Sequence, residues 1–332
     1  MNVMTSKERV RRAIEFDFPD QLPLFAAGDT DVVRLSYIDP SGWVPRNRTH
    51  GDFKDEWGCV WHTTDDTMGS VKQPAIADIS EAHKYILPNP HLPERWKYFD
   101  EQVEEYKHHY IVGNAQYLCF DRLTFLLGQV ETLESLIIHK KKLVQLMDKI
   151  IEFELNIIDE LAQRGVDGVR FWDDVGGSSG VVMGPHLWRE LFKERYERVF
   201  TYIKDKKLHV HWHSCGNCKD IMEDLVDIGV DVFSIGEPFM MGIDELNQKF
   251  KGRVCFECLP DNRSVLSKGN KKEIEAAVGK LVSALSSSAG GLILVAAPDN
   301  FDCVPDEARR MVIQAVKQAK LDSYGRAKNE QG

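Results

Sequence analysis

Four side chains able to bind a metal alternate through the run His209-Val210-His211-Trp212-His213-Ser214-Cys215-Gly216. On an extended strand every second residue shares a face, so His209, His211, His213 and Cys215 fall on one side. Imidazole nitrogen and thiolate sulfur together suit a borderline-soft ion such as Zn²⁺. A buried histidine on a strand is more often a satisfied core residue, and His209 and His211 are read that way. His213 and Cys215 close the run and are the candidate ligands.

Other apolar runs also end in polar residues. One ends at Ile235-Gly236-Glu237 and another at Ala297-Pro298-Asp299. Adjacent parallel strands would bring Glu237 and Asp299 to the same point as His213 and Cys215. A third run ends at Trp172-Asp173-Asp174. Asp173 there is a candidate general acid, and Asp174 reads as the N-cap of a following helix. Cys215-Gly216-Asn217-Cys218 is also a CxxC, but Cys218 should face into the helix after it. The second CxxC, Cys255 to Cys258, lies on a strand, which would turn its thiols to opposite faces. Trp57, Trp61, Phe120, Trp172 and Trp212 could wall an apolar pocket, although packing accounts for each of them singly.

The elements that must position these residues follow from periodicity. Thr5-Ser6-Lys7-Glu8 caps a helix over Lys7–Glu15, and Leu22–Phe25 is a first short strand. Residues 39–110 read as a long irregular excursion over one end of the fold, rich in Trp, His, Asp and Pro. Beyond it, strands are expected at Tyr110–Gly113, Gly168–Trp172, Leu208–Cys215, Val232–Ile235, Val254–Cys258 and Leu292–Ala296. Helices are expected at Leu123–Gly128, Leu133–His139, Lys141–Arg164, Pro185–Lys204, Cys218–Ile228, Ile243–Phe250, Lys271–Ser286 and Asp306–Ala319. Residues 323–332 read as a flexible tail. This alternation implies βαβ units and a parallel sheet, most simply one (β/α)8 TIM barrel spanning residues 1–332, with 39–110 as a lid over its mouth. Active sites of such barrels lie at the C-terminal ends of the strands, where the candidates above sit.

Composition narrows the function. The 332 residues carry a net charge of -10, which disfavours a nucleic-acid partner. No apolar run is long enough for a membrane span, and Met1–Phe16 lacks the apolar core of a secretory signal. The cysteine count is odd, seven, which fits thiols or metal ligands in a reducing cytoplasm. There is no GxGxxG after an early strand and no GxxxxGK[ST], so nucleotide-binding folds lose support.

These residues carry a family resemblance. Met4-Thr5-Ser6-Lys7-Glu8-Arg9-Val10, Phe18-Pro19-Asp20-Gln21-Leu22-Pro23, Asp55-Glu56-Trp57-Gly58-Cys59-Val60-Trp61, Phe171-Trp172-Asp173-Asp174, His213-Ser214-Cys215-Gly216-Asn217 and Ala297-Pro298-Asp299-Asn300 are similar to the uroporphyrinogen decarboxylase superfamily, in its cobalamin-dependent methyltransferase branch. The Glu-Trp-Gly-Cys-Val-Trp stretch resembles methyltransferases that demethylate methoxylated aromatic compounds in anaerobes. The resemblance implies zinc held by His213 and Cys215, with Glu237 at the matching spacing. The family's distal cysteine falls near Asp299, where this chain has no Cys, so the resemblance leaves the fourth position to Asp299, to Cys303 or open for substrate. The decarboxylase's N-terminal Arg-rich signature is absent.

The implied activity is methyl transfer from a small methylated substrate, an aryl methyl ether, to the cobalt(I) of a separate corrinoid protein. The chain itself has no Asp-x-His-x-x-Gly segment to hold a corrinoid. Asp173 or a bound water would supply a proton, and Trp172 and Asn114 would contact the substrate. Competing readings are transfer from a methylcorrinoid to a thiol or to tetrahydrofolate, and a uroporphyrinogen-decarboxylase-like barrel without decarboxylase activity. A homo-oligomer is compatible with any of these.

Overall fold

The computed structural model describes residues 4–26, 30–42, 50–64, 69–261, 264–296 and 306–330. Helix α1, Ser6–Glu15, starts where Thr5 Oγ1 accepts the Glu8 N–H at 3.2 Å. It ends at Phe16 in the left-handed region. Strands β1, Leu24–Phe25, and β2, Val32–Ser36, follow with no helix between them among the described residues.

The excursion has structure of its own. Strands β3 (Gly51–Lys54), β4 (Val60–Thr63) and β5 (Ser70–Gln73) form an antiparallel sheet. A 3-10 turn over Ile79–Lys84 and helix α2, Pro93–Glu105, complete it. The expected irregular loop is thus corrected. Its strands are four residues long, too short for alternation to stand out. Next come β6 (Tyr110–Tyr117), α3 (Cys119–Leu127), α4 (Gln129–Ile138), α5 (Lys140–Gln163) and β7 (Gly168–Trp172). The excursion is seated on this unit. Trp57 packs edge-on against Phe153 of α5 at 4.7 Å and Trp61 against Phe125 of α3 at 4.8 Å. The Ile76 N–H donates to Leu126 O at 2.8 Å.

The rest is regular: α6 (Pro185–Leu191), α7 (Lys193–Asp205), β8 (His209–His213), α8 (Lys219–Asp227), β9 (Val232–Ile235), α9 (Ile243–Phe250), β10 (Cys255–Cys258), α10 (Lys271–Leu285), β11 (Leu292–Val295) and α11 (Asp306–Glu330). The single helix expected over Pro185–Lys204 is broken at Phe192, whose ring is buried against Phe120 and Tyr196. The last helix runs past Ala319 into the segment expected to be a tail.

Eight strands form one parallel sheet in the order β1-β11-β10-β9-β8-β7-β6-β2, and this is the TIM barrel. β1 and β2 meet at the seam. There Asp31 N–H donates to Leu24 O at 2.7 Å and the Asp31 carboxylate accepts the Leu24 N–H at 2.9 Å. Val10 and Ile14 of α1 pack against Val32, Tyr110, Val112, Val232, Cys255 and Ile293, plugging the N-terminal end of the lumen. Alternation from that floor assigns the inward positions. Arg34, Arg170, His211, Ser234 and Glu257 form the next layer, with Ser36, Asn114, Trp172 and His213 toward the mouth.

Candidate metal centre

β8 delivers His213 to the mouth in register with Trp172 on one side and Ser234 on the other. Its Nδ1 lies 2.8 Å from Ser234 O. A carbonyl can only accept, so Nδ1 carries the proton and Nε2 keeps its lone pair. Nε2 lies 3.6 Å from Cys215 Sγ. Ligand distances of about 2.0 Å to nitrogen and 2.3 Å to sulfur, at a tetrahedral angle, imply an N···S separation of about 3.5 Å.

Asp174 is the third donor. Ligand atoms of Asp174, His213 and Cys215 all lie within 4.8 Å of one another. Asp174 does not cap a helix, as α6 begins only at Pro185. Instead its Oδ1 accepts the Cys215 N–H at 2.7 Å. The loops carrying the two residues touch glycine to glycine. A Cβ on Gly176 would sit 2.4 Å from Cys215 O, and one on Gly216 would sit 2.4 Å from Gly176 O. Gly216 also has φ +71°, which a side chain would strain. Asn217 N–H donates to Gly177 O at 2.8 Å and ties the loops together.

The electrostatics favour a cation. Burial, then Arg170, pushes His213 down to about 4, so the imidazole is neutral at physiological pH. Cys215 is exposed at the rim, yet flanked closely enough by protein that burial, then Asp174 and Glu237, raises its thiol. Negative groups crowding a thiol make its thiolate unfavourable unless a positive ion joins them. Neutral imidazole, thiol and carboxylate fit Zn²⁺ by ligand chemistry.

Glu237 is half-buried and close enough for its charge to act on Cys215, but it stands outside the tight three-residue group. Asp299 and Cys303 lie outside the described residues. Asp173 is fully buried. Its Oδ1 accepts the Asp121 N–H at 2.8 Å, at the start of α3, and Asp121 Oδ2 in turn accepts the Asp174 N–H at 3.1 Å. The geometry therefore places Asp173 behind the centre, where it fixes α3 to the Asp174 loop. Burial, then the charge of Asp174, lifts Asp121 to about 7. Burial, then Asp121, lifts Asp173 well above the carboxylate range.

Trp172 is half-buried, with the Arg170 guanidinium 4.8 Å from its ring centre. Asn114 Nδ2 donates to Ser36 Oγ at 2.9 Å. His209 and His211 stay in the lumen. Tyr110 Oη lies 2.7 Å from His209 Nδ1 and 3.3 Å from His211 Nε2. Cys255 belongs to the lumen floor and Cys258 to the outer core, so the second CxxC does face two ways. Sequence reasoning missed Asp174 as a candidate ligand. The available signal was its place past a strand end that pairs directly with the His213 strand.

The fold and site together define a parallel (β/α)8 barrel whose mouth carries a His, Cys and carboxylate cluster that could hold a metal ion. The chain belongs to the uroporphyrinogen decarboxylase family, whose model, described as uroporphyrinogen decarboxylase (URO-D), matches residues 56–319. A methyltransferase from Methanosarcina mazei has the same fold, with a TM-score of 0.73 at 16% identity over 95% of this chain and 99% of that one. A chitinase from Chromobacterium violaceum gives a TM-score of 0.42 at 9% identity over 87% of this chain and 92% of its own. A D-psicose 3-epimerase gives 0.42 at 8% identity over 74% and 86%. No curated protein matches the sequence. Among the described residues no helix is long and apolar enough to cross a membrane.

Proposed function

We propose that this protein is a zinc-dependent methyltransferase. It takes a methyl group from a small substrate, an aryl methyl ether, and passes it to the cobalt(I) of a corrinoid held by a separate protein. The observation that carries the reading is the convergence of His213 Nε2, Cys215 Sγ and the Asp174 carboxylate at the barrel mouth. Family membership and the fold shared with the Methanosarcina mazei methyltransferase support it.

The difficulty in demethylating an ether is the leaving group, an oxygen that must take up negative charge. Bound Zn²⁺ would supply Lewis acidity to that oxygen. His213 is held for ligation by the Ser234 carbonyl, which accepts the Nδ1 proton as carbonyls behind metal-bound histidines commonly do. Cys215 would give up its proton on binding the ion, and Asp174 would complete the anionic set. Glu237 and Asp299 are proposed as further oxygen ligands. Trp172 offers a flat wall for an aromatic ring, and Asn114 a polar contact. Asp173 is a positioning residue that holds the Asp174 loop, so protonation of the leaving oxygen would fall to a water at the mouth. An acceptor on a partner protein must approach from the open side, where Cys215 is exposed.

The test is anaerobic turnover with methoxylated aromatic compounds and a corrinoid protein, followed by the absorbance change as cobalt(I) becomes methylcobalt(III). Methyl transfer that disappears on removing the metal and returns with zinc is expected. Absence of transfer from any ether, amine or thiol would defeat the reading.

A further inference from the structure

Where the excursion sits on the barrel's helices, two buried charged groups face each other without a hydrogen bond. Arg122 of α3 and Glu154 of α5 are both buried. The Arg122 guanidinium lies over the Trp57 ring, 3.9 Å from its centre. Its Nε and Nη2 have no hydrogen-bond partner, and neither has either oxygen of Glu154. Burial lifts the Glu154 carboxyl well above its usual range, and Arg122 is the first charge that pulls it back, so the two stand near one another. The other carboxylates that feel Arg122 are engaged elsewhere. Asp55 accepts the Cys59 N–H and the Trp61 indole N–H, each at 2.8 Å. Glu56 receives both terminal nitrogens of Arg95, and Asp121 accepts the Asp174 N–H. On the excursion's side of the joint, Trp57 Nε1 and Arg95 Nε are buried and unpartnered as well.

The unpartnered atoms are mixed, N–H donors and carboxyl oxygens, and they lie on both faces of one joint. Water both donates and accepts and so suits such a set, whereas an anion or a cation would suit only part of it. A buried polar group without a partner costs free energy that solvent would return. The seated excursion therefore carries a penalty that it loses on lifting. Apolar contacts act against this and hold it down: Trp57 on Phe153 at 4.7 Å and Trp61 on Phe125 at 4.8 Å. Segments whose contacts with the core are so offset open apart from it.

We propose that the excursion is a lid that lifts from α3 and α5 as one unit while the barrel stays folded, parting at the Arg122–Glu154 joint. The mouth feels the movement through a row of rings. Lifting withdraws Trp61 from Phe125, which packs on Tyr117 at 4.9 Å, and Tyr117 lies 5.7 Å from Trp172. Arg122 is also next in sequence to Asp121, whose carboxylate holds the Asp174 loop. The lid is thus joined both to the wall of the mouth and to the loop of the metal centre.

Native-state hydrogen exchange on the full chain, read by mass spectrometry in urea below the unfolding range, tests this. Amides of β3 and β4 should exchange through an opening with a smaller urea dependence than those of β8 and β9. One shared dependence would mean that excursion and barrel open together, and the proposal would fall. The joint is tested by combining Arg122→Met with Glu154→Leu, which removes its charges and keeps apolar bulk. Replacing unsatisfied buried charge by apolar groups should seat the lid more firmly, slowing exchange in β3 and β4 about fivefold or more with β8 and β9 unchanged. Unchanged or faster exchange in the folded variant would mean that these charges hold the lid down or take no part, and would overturn the joint. Trp57→Ala carries the test if that pair of changes prevents folding. It removes packing, so β3 and β4 should exchange about tenfold faster or more while β8 and β9 do not change. Equal acceleration of all four strands would contradict a separate lid.

Discussion

At the scale of single residues, the centre depends on which atom of each side chain is left available. His213 can ligate only through Nε2, because Ser234 O holds the Nδ1 proton. Cys215→Ala removes the sulfur and one anionic charge from a three-donor group. Elemental analysis should find near-stoichiometric zinc in the wild type and little in the variant. Two histidines should also titrate abnormally. An ordinary imidazole has a pKa of about 6.5 and is mostly charged at pH 5.5. His213 and His211 are pushed down to about 4 and about 3, burial being the main cause, and so should remain neutral there. Nitrogen NMR of the imidazoles in metal-free protein checks this, and protonated signals for both at pH 5.5 would refute it. His213 and Cys215 were legible in the sequence because a strand's period of two aligns them. Asp174 was not, because in Asp173-Asp174 the chain turns off β7 between two identical side chains. Only the fold shows that the first turns in to hold α3 while the second meets Cys215.

At the scale of elements, two loops set the distance between Asp174 and Cys215, and both need glycine where they touch. Gly216→Ala would place a Cβ 2.4 Å from a carbonyl oxygen at a positive φ. The backbone conformation alone should cost about 1–2 kcal/mol, and the clash should push the loops apart. Thermal unfolding and zinc affinity should fall together, whereas a fall in stability with unchanged zinc affinity would dissociate the loop from the centre. The carboxylates behind these loops give a pH signature. Asp121, lifted to about 7, contributes stability while it stays protonated and loses it as pH rises from its ordinary range, near 4, through 7. Asp121→Asn keeps the neutral form throughout. The metal-free variant should therefore gain stability relative to wild type as pH is raised from 4 to 8, and parallel melting curves would contradict the assignment. Most strands and helices from Tyr110 onward were readable, since each has one apolar face at the proper period. β2 was not, because its lumen residue is Arg34, paired with Glu257 more than 200 positions away. The excursion hid its sheet for a different reason: its short strands owe their place to Trp57 and Trp61 packing on α5 and α3.

At the scale of the whole molecule, the barrel closes at a seam that lacks a described helix, and buried charge does the closing. Asp31 is buried, accepts the Leu24 N–H, and pairs with Arg9 of α1 at 2.5 Å and Lys320 of α11 at 3.0 Å. Burial would raise its pKa, but Lys320 and then Arg9 hold it down. Asp31→Ala removes a buried carboxylate from Lys320 and from Arg9, which keeps Asp20 at 2.6 Å, and should cost about 3 kcal/mol, the lower end for breaking a buried pair. Denaturant unfolding would show it, and a loss under about 1 kcal/mol, the range of an exposed pair, would mean the seam is held otherwise. The barrel itself was foreseeable from alternating strands and helices, but the joining of its first and last elements through Asp31 was not. The central claim is that this mouth is a zinc site that moves methyl groups. The most direct measurement is the rate of methylcobalt(III) formation from 2-methoxyphenol with wild-type, metal-stripped and zinc-restored protein. Transfer should be present, lost and regained in that order, and an undiminished rate in the stripped protein would contradict the account.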